Sequence, residues 1–199
     1  GDRVIEYNLW PLVHSGIIRI RVPDSLQARL NSQIDALLEN DRTPSHALFL
    51  QGEIKEGKQL TVRCPDEEYK ALLLASCEKL SRAVLQQDSG DMQLALDQVW
   101  TVHQKAGDFN PLHFHSNARS HFGFSSFLHL RLPPQLNAGQ QLCAEDGEGR
   151  TRGVTAFSWK TGHGSVADRL ECPGQLECEL AEGFLYVFPQ WVQHLVYPF

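Results

Sequence analysis

Nine histidines occur in the 199-residue chain, and three of them stand where a metal could be gripped. In GDFNPLHFHSNARS, Gly107 to Ser120, His113 and His115 lie one residue apart, directly after a Gly-Asp-Phe-Asn-Pro turn. Side-chain direction in an extended segment repeats every two residues, so an i, i+2 pair faces one way only on a strand. Two imidazoles facing one way can share an ion. A third, His194, follows an apolar strand and a Pro-Gln-Trp turn in EGFLYVFPQWVQHLVYPF. Neutral imidazole suits divalent first-row metals such as iron, zinc, copper or nickel. A lone His-x-His arises often by chance, so the surrounding frames have to carry the argument.

Gly107 precedes His113 by six residues, which gives G-x5-H-x-H. Gly183 precedes Pro189 by six, and His194 follows by five, which gives G-x5-P-x4-H. These frames resemble the paired motifs of the double-stranded β-helix, the jelly roll shared by cupins and by Fe(II)/2-oxoglutarate oxygenases. The cupin pattern places a glutamate shortly after H-x-H, where this chain has Arg119 and Ser120. It also places a glycine and an asparagine in its second motif, where Trp191 and Pro198 stand. The wider text fits the oxygenase branch better. VWTVHQKAGDFNPLHFHSNARSHFGFSSFLHLRLP and EGFLYVFPQWVQHLVYPF resemble a family of bacterial and phage oxygenases that use Fe(II) and 2-oxoglutarate. The likeness runs from about Val99 to Phe199, and its final motif, G-x-L-x-x-F-P-x-W-x-x-H-x-V-x-P, is its most specific part.

The resemblance implies a double-stranded β-helix (jelly roll) core over about 93–199. Chain length and periodicity add a mixed helical and β N-terminal part over about 1–92, with packing helices, in one mainly β domain. The resemblance further implies Fe(II) held in a three-ligand site, and decarboxylation of 2-oxoglutarate coupled to oxidation of a small-molecule or peptide substrate. His113 and His194 carry over as metal ligands. His115 stands where most oxygenases of this fold have Asp. Either it is the third ligand, or a carboxylate arrives from another segment, with Asp108, Glu145 and Asp146 as candidates. The i, i+2 spacing favours His115. Asp108 suits a turn cap better, and Glu145 and Asp146 suit a solvated loop.

The resemblance also implies an arginine, one strand past the last histidine, that grips the far carboxylate of 2-oxoglutarate with its planar fork. Within the chain Arg131 is the candidate, and its plain alternative is a solvated edge charge. His129 stands where the family often has Tyr and is a second candidate for that cosubstrate. Asn110 shapes the turn that aims the histidine strand and could touch a ligand. Trp100 and Trp191 read as barrel packing, with Trp191 also a candidate wall of the metal pocket. The alternative to an oxygenase is a cupin-like metal or small-molecule binding module without oxidative chemistry.

The elements that must position these residues follow from periodicity. PDSLQARLNSQIDALLEN opens on a helix start and sets Leu26, Leu30, Ile34, Leu37 and Leu38 on one face. DEEYKALLLASCEKLSRAVLQQ begins with three acidic residues that suit the positive end of a helix dipole. Its stripe is Tyr69, Leu72, Leu73, Leu80 and Val84. GIIRIRV, HALFLQG and QLTVRC read as strands. From Leu94 the chain reads as short strands cut by Pro, Gly, Asn and Asp turns, the pattern of a sandwich or barrel. The Gly-rich KTGHGS, Lys160 to Ser165, reads as a loop over the substrate.

Composition narrows the class. An apolar fraction of 42% supports a packed core. Net charge is −6 with scattered Lys and Arg, which argues against nucleic acid as the partner. No apolar run reaches the length of a membrane helix, and no basic-then-apolar secretory start is visible. Five cysteines without a C-x-x-C fit free thiols and a cytoplasmic location.

Overall fold

The computed structural model describes residues 16–47, 52–85, 93–116, 123–136, 153–158, 175–178 and 180–199. Two helices precede a body of antiparallel strands. Strand β1 (Ile18–Arg21) leads through Pro23 into helix α1 (Asp24–Glu39). Strand β2 (Lys58–Thr61) leads into helix α2 (Glu67–Leu85). The Asp66 carboxylate caps α2 by accepting the backbone N–H groups of Glu68 and Tyr69 at 2.9 and 3.1 Å, as an N-terminal aspartate should. Arg29 of α1 ties the two helices together through Asp66 and Glu68. Leu26 and Leu30 of α1, and Leu73 and Leu80 of α2, are buried, so the expected stripes do face a core.

Seven strands follow: β3 (Trp100–His103), β4 (Asn110–His113), β5 (Phe124–His129), β6 (Thr155–Ser158), β7 (Gln175–Glu177), β8 (Phe184–Pro189) and β9 (Gln193–Val196). One sheet runs β1-β8-β5 and the other β4-β9-β6-β7, with β2-β3 as a separate pair. All the pairings are antiparallel. These are the two facing sheets of a jelly roll, and the mainly β fold with N-terminal packing helices is the one expected.

Strand β8 shows why the sequence folds this way. FLYVFP is apolar throughout, as a strand covered on both faces must be. Leu185 and Val187 join Val22, Leu26, Leu30, Leu73 and Leu80 in the core beneath the helices. Tyr186 and Phe188 point the other way and join Phe157, Cys178 and Val192 inside the roll. Period two thus divides one strand between two cores. The helices seal the outside of one sheet and leave the interior for aromatic side chains and the site.

Two expected strands differ. In HALFLQG the described residues His46, Ala47 and Gly52 form no strand; the preceding Ser45 makes a single bridge with Leu60, and residues 48–51 lie outside the described residues. In the stretch from Leu94, regular pairing begins only at Trp100, and Val102 is 40% exposed. Alternation there marks an edge pair rather than a covered strand.

Candidate metal centre

Strands β4 and β9 are neighbours, and their register sets His113 directly opposite His194. The two ring centroids are 4.2 Å apart. His115 lies just past the end of β4, where its backbone N–H donates to the Gln190 carbonyl at 2.9 Å. That bond holds the segment extended, so His115 stays on the side of His113. Its ring centroid is 5.2 Å from that of His113 and 5.1 Å from that of His194. One nitrogen from each ring falls within 4.8 Å of the other two. The three histidines expected to meet therefore do meet.

The glycines of the two motif frames explain the aim of these strands. Gly107 has φ +86° and Gly183 has φ +78°, both in the left-handed region where a Cβ is disfavoured. Gly107 turns the chain from β3 into the segment that carries His113. Gly183 turns it into β8, whose far end returns through Pro189 towards His194. Asp108 completes the first turn. Its carboxylate accepts backbone N–H groups from Lys55, Glu56 and Lys105 at 2.8, 3.2 and 2.9 Å and is 1% exposed. It is a structural cap with its lone pairs committed, so it is not the third metal ligand. Glu145, Asp146 and the KTGHGS loop lie outside the described residues.

The hydrogen bonds around the rings select the coordinating atoms. His113 Nδ1 lies 2.6 Å from the Pro111 carbonyl, and His194 Nδ1 lies 3.1 Å from the Val192 carbonyl. A carbonyl only accepts, so each Nδ1 carries the proton and each Nε2 presents its lone pair. Backbone carbonyls orient metal-binding histidines in this way. Burial favours the neutral form of two of the rings: desolvation pushes His194 down to about 3 and His115 to about 4, with His113 adding to both. A neutral imidazole is the form that binds a metal. The aromatic core supplies the wall. Phe188 meets His194 edge-on at 4.9 Å, Phe157 lies at 5.9 Å, and Trp100 tilts over His115 at 6.0 Å. Trp100 itself stacks on His46 at 5.0 Å. The donor set, its tautomers and its aromatic neighbours fit a divalent first-row metal.

The triad opens into a cavity of about 590 Å³, lined also by Trp100, Asn110, His129 and Arg131. His129 is the nearest of these to a bare recognition group. Its Nδ1 is buried with no hydrogen-bond partner among the described residues, and burial lowers its pKa to about 4. The Gln104 amide nitrogen, also on the cavity wall, is likewise buried without a partner among the described residues. Sequence reasoning passed over Gln104, because nothing in its local pattern marks it. Arg131 reaches the cavity, but its guanidinium forks onto Asp35 of α1 at 2.6 and 2.7 Å. Trp191 departs from expectation as a pocket wall. It is 42% exposed in the tight turn before β9 and does not line the cavity, because its neighbour Val192, 4% exposed, takes the inward place.

No protein-family model matches the chain, and no curated protein matches it. Among solved structures, the crystal structure of a prolyl-4-hydroxylase from Pseudomonas putida is similar, with a TM-score of 0.56 and 18% identity. The match covers 93% of this chain and 85% of that one. At this identity the likeness is one of fold. The likeness supports the jelly roll read from the strand order.

Proposed function

We propose that the protein is an Fe(II)- and 2-oxoglutarate-dependent oxygenase of the hydroxylase type, acting on a small molecule or a peptide. The observation that carries this reading is the cross-strand placement of His113 opposite His194, with His115 beside them, inside a jelly roll. Bound iron would supply the activation of O2 and a coordination site for 2-oxoglutarate.

The chain's own residues would do the rest. The Nε2 atoms of His113 and His194, with one nitrogen of His115, would hold the metal. Pro111 and Val192 would fix two of the rings through their carbonyls. Phe157, Phe188 and Trp100 would exclude bulk water, which strengthens every polar contact inside and protects reactive species. His129 would meet a polar atom of the cosubstrate, since its buried Nδ1 has no partner among the described residues. Arg131 would serve as a carboxylate anchor only by exchanging Asp35 for the ligand. The thiols of Cys64, Cys77 and Cys178 are free, which supports a reducing, cytoplasmic setting. Among the described residues no helix is long and apolar enough to cross a membrane.

The test is 2-oxoglutarate turnover. Anaerobically Fe(II)-loaded protein, exposed to O2 and 2-oxoglutarate with candidate substrates, should form succinate and CO2. Absence of both, together with no measurable 2-oxoglutarate binding to the loaded protein, rejects the reading. The Arg131–Asp35 fork favours a second reading: a cupin-like metal or small-molecule binding module without oxidative chemistry. It predicts tight metal binding with indifference to 2-oxoglutarate.

A further inference from the structure

The charge balance around the triad has a consequence of its own. Three neutral imidazoles leave a bound dication with its full charge. A site with one carboxylate ligand would cancel half of it. No Asp or Glu occurs among the described residues that line the cavity, although the chain carries 24 acidic residues and a net charge of −6. Asp108, the carboxylate nearest in sequence, is committed to backbone N–H groups. The surroundings of the triad are aromatic: Phe157 and Phe188 beside His194, Trp100 beside His115. An uncompensated charge in such a place is costly, and the charge of a bound ion dominates the local electrostatics.

We propose that the centre takes a small anion from solution directly onto the metal, and that His115, by replacing a carboxylate, creates this demand. The anion class is compact monoanions with a good donor atom: halide, azide or a simple carboxylate. This inference rests on the metal reading of the triad. It deepens the oxygenase reading, because 2-oxoglutarate is itself a dianion and would bring the centre to neutrality. Small anions and 2-oxoglutarate then compete for the same coordination positions, so chloride acts as an inhibitor at the metal rather than through general screening of exposed charges.

The experiment uses the whole chain loaded with Co(II), whose visible spectrum reports ligand changes without turnover. Azide is titrated into wild type and into H115D and H115E, which restore a carboxylate. The expected result is a saturable spectral change in wild type, with azide bound about fivefold or more tighter than in either acidic variant, the effect of one unit charge near the metal even at the dielectric of water. Chloride should shift the azide curve competitively. Potassium sulfate at matched ionic strength should shift it much less. A spectrum indifferent to azide in cobalt-loaded wild type, or equal azide affinity in wild type and a cobalt-loaded acidic variant, overturns the proposal and leaves the metal reading standing. Failure of wild type to take up Co(II) at all overturns both. If neither acidic variant holds cobalt, the chloride competition in wild type decides: competition supports the proposal, and its absence rejects it.

Discussion

The two ends of the cavity are built to different standards. At the triad end everything is set before a ligand arrives. Register places His113 against His194, two carbonyls fix the tautomers, and aromatic rings fill the remaining space. At the other end the groups are not committed to a ligand. His129 holds a bare buried nitrogen, and Arg131 is closed on Asp35 across a partly exposed fork. Strand pairing can pre-organise a metal site because each residue's place is fixed by backbone hydrogen bonds. A recognition group on a long side chain after a strand end has no such constraint, and it settles on the nearest counter-charge. The difference separates a robust metal centre from a ligand site that must rearrange on binding.

The contrast can be broken most severely at the triad. H113A or H194A should lower metal affinity by at least about 100-fold, since even losing an outer-shell partner costs roughly 10–100-fold. Calorimetric titration with Co(II) measures this, and retained affinity would refute the pre-organised end. Acid comes next. His115, His129 and His194 have folded pKa values well below the ordinary histidine value of 6.5, through burial first of all. Such groups take up protons more readily unfolded. Their contribution to stability is therefore complete above about pH 6.5 and is lost as pH falls below it, by up to ~1.4 kcal/mol per pH unit for each histidine. Thermal melts of the metal-free protein from pH 7.5 to 5 should show a steep decline, flattened in H129Q.

At the unorganised end the effects are smaller. H129A should weaken 2-oxoglutarate binding to the metal-loaded protein by roughly tenfold, about the value of one buried hydrogen bond, with metal affinity unchanged. D35N should tighten that binding by up to about fivefold if Arg131 is the anchor, since the competing exposed ion pair is worth at most ~1 kcal/mol. An unchanged affinity in D35N would assign Arg131 to joining α1 with β5 and to nothing else.

Much of this arrangement is legible in the residues. Histidines at i, i+2 after a turn, glycines at fixed distances before two motifs, and an all-apolar FLYVFP strand follow directly from side-chain period and backbone freedom. The helices and a strand-rich sandwich or barrel are legible for the same reason, whereas the jelly roll itself is read from the resemblance of the two motif frames. What escaped were tertiary choices. Nothing local tells that Val192 rather than Trp191 turns inward, because either fits a turn and only the packing against Phe188 and Tyr186 decides. The pairing of Arg131 with Asp35 joins residues 96 positions apart and has no local signal. Gln104 becomes notable only when its amide is found buried on the cavity wall without a partner.

The central claim is that three imidazoles from β4, its extension and β9 hold one metal ion. X-ray absorption on anaerobically Fe(II)-loaded protein, with the metal content of the same sample, tests it most directly. The account predicts one iron per chain with three imidazole nitrogens in its first shell, and loss of that signature in H194A. Iron bound with the same spectrum in an H113A/H194A double variant would contradict it.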